Sequence, residues 1–565
     1  MATVDPASIP LPNGDTPKPQ SAVRLTNLPS IKNAPFPAEG NGSFSNVALA
    51  GLVLGVPYVV KRMLPIINRG GTGTYWFLVI VLGLPVTIGY WTVMSMYGAR
   101  KNERLAFPNR PQSEYIEFKD QAFRAEWEGK KIPMQIFHDA YFEGKVDFKG
   151  DVLDVMEWRH DWAEFKMTPE LFKYVFTVLI PDVVVHSHSQ DEEQVRDHYD
   201  RGDDFYQWFL GPRMIYTSGV VMDNTREETL EELQDNKLAL VCEKLNLKPT
   251  DKLLDIGCGW GTLAAYAAKN YQCDVTGVTL AKKQAAFGNQ RIKDNGCDTE
   301  RARILCMDFR DVPAVKGQYT KIVSLEMAEH VGIRRYNAFL RQVYDLLDDD
   351  GIFVFQVAGI RQCWQYEDLI WYGGLFMNKY VFPGADASCA LNWVIGRLEG
   401  VGFEIKAVDV LGVHYSATIW RWYKNWISNK DKVIAAYGER WFRVWSFFLA
   451  YSTIISRQGS ASVFQITAHK NLNAFHRMEG MDSHTSLRIS DRAKNNADFK
   501  EPSCFGNQGF LENDVLYVWI KDVINRVFEL VIFLLHSWII LLTLKSLVQW
   551  LQGVGDRRRI IRFEE

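Results

Sequence analysis

Two carboxylates and an imidazole follow a short apolar segment in "SLEMAEHVG", residues Ser324–Gly332. The apolar segment Lys321–Leu325 predicts a buried strand. Glu326, Glu329 and His330 therefore stand at the end of that strand. Such a group fits a metal site, a catalytic base with its neighbours, or an ordinary polar helix start. The spacing matches no zinc-binding helix pattern, so we expect no metal here.

Length and composition limit the classes of function. The chain has 565 residues, 47% of them apolar, and a formal net charge of −3. It is too long for one compact domain, and its charge gives no field that would draw the whole chain to nucleic acid. The eight cysteines form no CxxC pair, which argues against a zinc ribbon or a disulfide framework. Aromatic residues make up 13% of the chain, as expected for apolar ligands, a membrane surface or a large core.

Strand and helix patterns alternate between Asp251 and Phe355. In order, the segments are "KLLDIG", "TLAAYAAKN", "CDVTGVTL", "KKQAAFGNQRIKDN", "ARILCMD", "TKIVSLEM", "RRYNAFLRQVYDLL" and "GIFVFQVA". This alternation predicts an α/β, Rossmann-like fold with a doubly wound, mostly parallel sheet. Right-handed crossovers then bring the carboxyl ends of the strands to one edge, where ligands bind.

A glycine-rich turn, Leu253–Leu263, joins the first strand to the first helix. Gly257, Gly259 and Gly261 allow a sharp turn and a close approach of ligand to backbone. Nicotinamide and flavin enzymes use a related turn, but their usual spacing is G-x-G-x-x-G. The alternating glycines and the preceding Asp255, whose carboxylate suits an ammonium group, predict S-adenosylmethionine as the cofactor, with nicotinamide second.

Four residues at the ends of the next two strands are predicted to contact the same cofactor. Thr279 and Gln284 stand where an acidic residue usually holds the ribose, and both can hydrogen-bond to hydroxyl groups. Asp308 ends the third strand, where it either meets the adenine amino group or caps a helix. Phe309 is placed to stack on the adenine ring.

Apolar segments outside this region predict attachment to a membrane. Tyr75–Tyr97 is uncharged and long enough to cross a bilayer, whereas Asn46–Val60 is shorter. Arginines and lysine that follow the second segment favour a cytosolic location for the next domain. Val527–Leu544 carries Glu529 and His536, so it either crosses the membrane or lies in its interface.

These patterns divide the chain into six predicted parts. They are a disordered N terminus (1–45), a transmembrane helical hairpin (46–99), a helical preamble (100–190), a methyltransferase domain (191–472), a polar linker (473–513), and a membrane-associated helix with a basic tail (514–565).

Six motifs occur in a family-specific order. They are "HYDRGDDFYQWFLGPRMIYTSG", "LLDIGCGWGTLAAYAA", "GVTLAKKQ", "MDFRD", "SLEMAEHVG" and "NKYVFPG". Together they resemble the cyclopropane fatty acid synthase family of methyltransferases over about residues 190–470. With the membrane hairpin, the chain is most similar to the fungal sphingolipid C-9 methyltransferases. The resemblance implies methylation of C-9 of the Δ8-unsaturated base of ceramide or glucosylceramide, by a protein of the endoplasmic reticulum whose catalytic domain faces the cytosol.

The resemblance also implies roles for individual residues. Tyr216 and Thr217 match a Tyr-Ser pair that contacts the cofactor, and Gly257, Gly259, Thr279 and Gln284 match its glycine turn and ribose site.

In the synthases, a Cys, a Glu, a His and a Tyr hold a bicarbonate base. Glu329 matches that Glu and Tyr415 matches that Tyr, whereas Ser218 stands at the Cys position and Gln356 at the His position. These two departures put the bicarbonate and ring formation in doubt.

The predicted reaction is attack of an alkene on a sulfonium methyl, which requires alignment and exclusion of water. Proton loss from the new methyl would close a cyclopropane, and proton loss from the chain carbon would leave a methyl branch. We expect Ser218 and Gln356 to favour the second outcome, with Glu329 in the catalytic site. His330 is expected to be structural or to orient Glu329, and Glu326 is either a cap or part of the site wall.

Three other functions remain open. They are a cyclopropane synthase acting on phospholipid acyl chains, a sterol methyltransferase, and a membrane scaffold with an inactive methyltransferase fold. The sequence leaves the oligomeric state open, as well as the choice among free base, ceramide and glucosylceramide.

Overall fold

The computed structural model describes residues 23–24, 45–97, 110–165, 168–179, 202–362, 376–382 and 389–473. All of them belong to the first of two compact units, Met1–Arg488, and the second unit, Ile489–Glu565, lies outside the described residues. The predicted C-terminal helix and nearly all of the predicted linker and disordered N terminus also lie outside them.

Two long apolar helices stand at the start of the described chain. The first three helices are α1 (Asn46–Met63), α2 (Pro65–Asn68) and α3 (Thr72–Tyr97). Ser45 caps α1 by accepting a hydrogen bond from the backbone N–H of Ala48. Two segments, Asn46–Met63 and Thr72–Tyr90, are long and apolar enough to cross a membrane. Apolar side chains on both helices, including Trp76 and Phe77, are more than half exposed.

The next segment mixes short helices with short strands. The helices are α4 (Gln121–Trp127), α5 (Met134–Phe142), α6 (Val152–Glu157), α7 (Arg159–Trp162) and α8 (Pro169–Tyr174), and the strands are β1 (Ile116–Phe118), β2 (Ile132–Pro133), β3 (Val146–Phe148) and β4 (Ala163–Glu164). β1 pairs with β3 antiparallel, and β2 pairs with β4 parallel. The predicted helical preamble is therefore wrong in its strand content. Asp120 and Asp151 cap α4 and α6, which divides the segment into pieces too short for a clear helical period.

A seven-stranded sheet forms the centre of the α/β domain. Its strands are β5 (Lys252–Ile256), β6 (Asp274–Thr279), β7 (Ala302–Cys306), β8 (Tyr319–Leu325), β9 (Leu347–Ile360), β10 (Phe403–Val410) and β11 (Ala461–Lys470). They lie in the order β10-β11-β9-β8-β5-β6-β7. β5 to β9 pair in parallel, and β10 and β11 add an antiparallel edge. The predicted mostly parallel sheet is confirmed.

Helices cover this sheet and extend beyond it. They are α9 (Asp203–Leu210), α10 (Leu230–Lys244), α11 (Thr262–Tyr271), α12 (Lys282–Asp294), α13 (Tyr336–Leu346), α14 (Leu391–Val401), α15 (Gly412–Ser428), α16 (Lys430–Tyr437) and α17 (Glu439–Arg457). Thr229 and Glu232 form a reciprocal capping box at the start of α10. An aromatic core packs α15 and α17 against the mixed segment, with Trp426 and Trp445 fully buried in it.

The chain order of the strands fixes where a ligand can bind. From β5 the chain builds outward through β6 to β7, then crosses back to place β8 on the other side of β5. The turns after β5 and β8 therefore diverge, and they leave a crevice at the carboxyl ends of these two strands.

Candidate active site

A cavity of about 270 Å³ occupies this crevice. The predicted cofactor residues that line it are Tyr216, Thr217, Asp255, Gly257, Gly259, Thr279, Gln284, Asp308 and Phe309. Gly261 is not among the lining residues. The fold thus brings together side chains that are almost a hundred positions apart in the sequence.

The three glycines of the turn have left-handed backbones but different surroundings. A Cβ on Gly257, at φ +78°, would stand 2.5 Å from Cγ of Met327. A Cβ on Gly259, at φ +53°, would meet no atom within 4 Å, so this glycine borders the open cavity. A Cβ on Gly261, at φ +70°, would lie 2.9 Å from Cα of Gly288. Gly261 therefore allows α11 and α12 to approach each other and does not contact the cavity.

Asp255 lines the cavity with a carboxylate that is only partly satisfied. It is 3% exposed, and its Oδ2 has no hydrogen-bond partner among the described residues. Burial raises the pKa of Asp255 to about 7, against the opposing charge of Lys237. A buried carboxylate oxygen without a donor is costly, and a cationic ligand would relieve that cost. This arrangement fits the ammonium group of an amino-acid ligand.

Lys237 is a cationic group that the sequence analysis missed. It is buried, it lines the cavity, and its Nζ donates to Oγ1 of Thr217 at 2.8 Å. Burial lowers the pKa of Lys237 to about 8, while Glu326 and Asp255 oppose that change. The only sequence indication was a lysine in the middle of an otherwise core-facing helix. Lys237 and Thr217 together suit the carboxylate of an amino-acid ligand.

The predicted ribose and adenine residues line the other end of the cavity. Thr279 donates its hydroxyl to Oε1 of Gln284 at 2.7 Å, which joins the two ribose candidates. Asp308 caps the short turn Phe309–Asp311 by accepting from the N–H of Arg310 at 2.8 Å, and it also forms an ion pair with that side chain. The helix-cap alternative for Asp308 is therefore realised, and its contact with adenine stays a prediction.

Glu326 lines the cavity at the end of β8. Its Oε1 accepts hydrogen bonds from the backbone N–H of Ser218 at 2.8 Å and from Nε2 of Gln356 at 2.6 Å. Tyr415 interacts with the same carboxylate and lowers its pKa. Glu326 also has φ +54°, which is uncommon for a residue with a side chain. Of the two possibilities left open for Glu326, the site wall is the one observed.

Glu329 has a different hydrogen-bond partner from those of Glu326. Its Oε1 accepts from the backbone N–H of Ala358, and it is not among the residues that line the cavity. Burial, followed by the charge of Glu326, raises the pKa of Glu329 to about 8, so its neutral form predominates at pH 7. Glu326, and not Glu329, is thus the carboxylate around which three of the predicted catalytic residues meet. These are Ser218, Gln356 and Tyr415.

This arrangement does not fit a bicarbonate held by those same residues. The backbone N–H of Ser218 and the side-chain amide of Gln356 already donate to the carboxylate of Glu326. A bicarbonate ion at this position would place a second anion against that carboxylate, with the same donors already engaged.

A row of polar side chains crosses the buried sheet toward Glu326. Asp409 pairs with Gln465, Gln465 with Gln356, and Gln356 with Leu325, the residue before Glu326. Nε2 of Gln465 donates to Oε1 of Gln356 at 2.7 Å, and Lys244 donates to Oε1 of Gln465 and to Asp409. The sequence indication was one glutamine in each of two apolar strands, "FVFQVAG" and "SVFQITA".

His330 faces the cavity as a neutral side chain. Burial lowers the pKa of His330 to about 4. Within the described ranges, no group of three or more His, Cys, Asp or Glu side chains is placed to hold a metal ion. Asp255, Lys237, Glu326 and His330 are among the ionisable side chains that line the cavity.

Comparison with known proteins places the chain in a family. A family model described as "Mycolic acid cyclopropane synthetase" matches residues 186–466. Sphingolipid C9-methyltransferase 2 of Gibberella zeae is 57% identical over 82% of this chain and 89% of its own length. Sphingolipid C9-methyltransferase A of Emericella nidulans is 56% identical over 84% of this chain and 91% of its own length.

A solved structure also aligns with part of the chain. The cyclopropane synthase MmaA2 from Mycobacterium tuberculosis is 29% identical, with a TM-score of 0.45, over 49% of this chain and 98% of that chain. The identity to the Gibberella and Emericella proteins, over nearly their whole length, is what assigns the family. The chain belongs to the sphingolipid C9-methyltransferase family.

Proposed function

We propose that this protein transfers a methyl group from S-adenosylmethionine to C-9 of the Δ8-unsaturated base of ceramide or glucosylceramide. Its relatives carry the name sphingolipid C9-methyltransferase, which supplies the acceptor and the position. The observation that carries the proposal is the cavity, which sets a pair of opposite charges suited to an amino-acid ligand beside a hydrogen-bonded carboxylate.

The residues around the cavity fit S-adenosylmethionine from end to end. Asp255 would accept its ammonium group, and Lys237 with Thr217 would hold its carboxylate. Thr279 and Gln284 would meet the ribose hydroxyls, with Phe309 against the adenine. When bound, this cofactor supplies an electrophilic methyl group on a sulfonium ion.

The protein contributes alignment, a dry site and a proton acceptor. An alkene is a weak nucleophile, so the walls of the cavity must hold it in line with the methyl group and exclude water. Attack leaves a carbocation on the lipid, which a carboxylate at the cavity wall stabilises. A base then removes a proton from the chain carbon, which restores the alkene and leaves a methyl branch.

The membrane supplies the lipid acceptor in this proposal. α1 and α3 form a transmembrane hairpin, because both are long enough to cross a bilayer and expose apolar side chains. Because arginines and a lysine follow α3, the methyltransferase domain, residues 191–472, lies on the cytosolic side of the endoplasmic reticulum in this proposal. The partner is the lipid in that membrane, with no role for nucleic acid.

Expression in yeast cells that make a Δ8-unsaturated but unbranched long-chain base tests the function. We expect the base to gain one methylene unit in fragmentation mass spectrometry, with phospholipid acyl chains unchanged. Because a ring and a methylated alkene have the same mass, proton NMR of the isolated base must show a vinylic methyl group and no ring protons.

The Asp255→Asn variant is the matched negative control, since it keeps the side-chain shape and removes the charge proposed to hold the cofactor. Unchanged long-chain bases with ring protons in the phospholipids would overturn the proposal in favour of a phospholipid cyclopropane synthase. Unchanged lipids of all classes would contradict both activities.

A further inference from the structure

We propose that the carboxylate of Glu326 is the general base that removes the C-9 proton of the methylated lipid. This inference rests on the methyl transfer proposed above. It assigns the proton to Glu326 rather than to Glu329, to which the sequence resemblance points.

The position and contacts of Glu326 support this role. Its side chain lines the cavity. Glu329 is not among the lining residues, and its Oε1 accepts a hydrogen bond from the N–H of Ala358. Glu326 accepts from Ser218 and Gln356 at 2.8 and 2.6 Å, and Tyr415 also lowers the pKa of its carboxyl group. Donors of this kind stabilise the ionised form of a carboxylate, and a base must be ionised before it can accept a proton.

The backbone of Glu326 is held in an unfavourable conformation. Its φ of +54° lies in the left-handed region, which costs on the order of 1 kcal/mol or more for a residue with a side chain. Its N–H donates to the backbone oxygen of Gln356 at 2.7 Å, while Gln356 donates its side-chain amide in return. This double contact turns the side chain of Glu326 toward the cavity wall, so the strained conformation positions the carboxylate.

The polar row fixes which end of Gln356 faces Glu326. A lysine ammonium only donates hydrogen bonds, so Lys244 must meet the oxygen of the Gln465 amide. The nitrogen of Gln465 then faces the oxygen of Gln356 at 2.7 Å, which leaves the nitrogen of Gln356 for Glu326. Lys244 is 1% exposed and contacts Asp409 at the sheet edge. The row thus presents a donor, and not a carbonyl, to the base.

The surrounding charges separate the two carboxylates. The ionisable groups near Glu326 are Lys237 on α10, Asp255 on β5, Glu329 and His330 on the following turn, and Tyr415 on α15. Burial raises the pKa of Glu326, while its three donors and Lys237 lower it. Glu329 has a pKa of about 8 and takes the neutral role. The charge of Lys237 therefore opposes the effect of burial at Glu326, whereas the charge of Glu326 adds to it at Glu329, so Glu326 is the better suited of the two to be ionised.

Methyl transfer comes first in this reaction, and proton loss follows. The π pair of the alkene forms the bond to the methyl carbon, while the bond from that carbon to sulfur breaks and leaves its pair on sulfur. S-adenosylhomocysteine results, with a cation at C-8 of the lipid. The pair of the C-9–H bond then re-forms the alkene, and Glu326 receives the proton, which later passes to water.

Glu326→Gln in the full-length protein tests the assignment. We expect S-adenosylhomocysteine to bind within about twofold of the wild-type affinity by calorimetry, while methylation of a Δ8-unsaturated ceramide falls by roughly 10²–10⁴-fold, as general-base removal predicts. Glu228→Gln is the matched control, because Glu228 is also buried and accepts from a backbone N–H, that of Met222 at 2.9 Å, and from a carboxamide, that of Asn236 at 3.0 Å. It is not among the lining residues of the cavity, so full activity is expected.

A second variant covers the case in which Glu326→Gln fails to fold. Glu326→Asp keeps the charge but withdraws it by one methylene, so we expect a slower reaction and a larger isotope effect for acceptor deuterated at C-9. Full activity of Glu326→Gln, an unchanged isotope effect in Glu326→Asp, or loss of activity in Glu329→Gln alone would overturn the assignment. A wild-type protein that methylates no sphingolipid would instead refute the proposed function.

Discussion

The two carboxylates at the inner end of the cavity are held in opposite ways. Asp255, on β5, is buried and has an oxygen without a donor among the described residues. Glu326, after β8, accepts hydrogen bonds from the backbone N–H of Ser218 and from the side-chain amide of Gln356. Both line the same cavity, and burial raises the pKa of both.

This difference separates a binding group from a reacting group. An unsatisfied buried carboxylate gains most when a cation arrives, so Asp255 is suited to hold a ligand. A carboxylate that already has donors is fixed in place, and those donors favour its ionised form against the effect of burial, so Glu326 is suited to accept a proton. Each prediction below changes one side of this comparison.

Among the variants that complement Glu326→Gln, the largest effect is expected from Asp255→Asn. Loss of a hydrogen bond between charged groups costs about 1.5–3 kcal/mol, which corresponds to a roughly 10- to 150-fold weaker affinity for S-adenosylhomocysteine in calorimetry. In the wild type, affinity should fall as the pH drops below about 7, because Asp255 must release its proton before it can pair with an ammonium group.

Asp251→Asn provides the control at the other end of the same strand. Asp251 is also buried, but it accepts from the N–H of Lys248 and from Thr320, outside the cavity lining. The affinity of the Asp251→Asn protein for S-adenosylhomocysteine, and the pH dependence of that affinity, should match the wild type. An Asp255→Asn protein with wild-type affinity at pH 8 would remove the distinction between the two carboxylates.

The same contrast explains what the sequence could predict. Part of the cofactor side is a local turn, where the glycines and Asp255 stand within a few residues, so their spacing predicted the location of these residues. The part of the site that holds Glu326 is assembled from β8, β9, β11 and α15, and its contacts depend on the register between strands. A match of motifs assigned Ser218, Gln356 and Tyr415 to one site, but it could not show that Glu326 is the group they contact.

Secondary structure was predicted where the elements are long and was missed where they are short. Regular alternation from Asp251 to Phe355 gave the parallel strands and their helices, because each element is long enough to show its period. The strands of the preamble are only two or three residues long, too short for alternation to appear. Lys237 was missed because its burial depends on the packing of α10 and not on any neighbouring residue in the sequence.

A smaller effect separates two glycines of the cofactor turn. Gly261→Ala should lower the free energy of unfolding by about 1–3 kcal/mol, since the new methyl would lie 2.9 Å from Cα of Gly288. Gly259→Ala should lower stability less and cofactor affinity more, because its methyl would enter the open cavity. Thermal unfolding measures the loss of stability in both proteins, and calorimetry measures the loss of cofactor affinity. Equal losses of affinity would contradict the separate roles given to the two glycines.

The smallest effect concerns the polar row behind Glu326. Gln465→Leu removes the amide that links Lys244 to Gln356, so Gln356 is no longer forced to present its nitrogen to Glu326. If Gln356 donates a weaker hydrogen bond, the pKa of Glu326 should rise. The acid limb of the pH–rate profile should then move to higher pH by about 0.5 to 1 pH unit, which corresponds to up to about 1.4 kcal/mol.

Thr467→Val is the matched control for this shift. Thr467 lies two positions further along β11, is fully buried, and has an Oγ1 with no hydrogen-bond partner among the described residues. Its replacement changes the polarity of the strand but not the row, so the profile should stay in place. If both variants shift the acid limb equally, the effect comes from packing of β11, and the row does not position the base. A shift in Gln465→Leu alone would show that a buried lysine on α10 sets the proton affinity of a carboxylate on the far side of two strands.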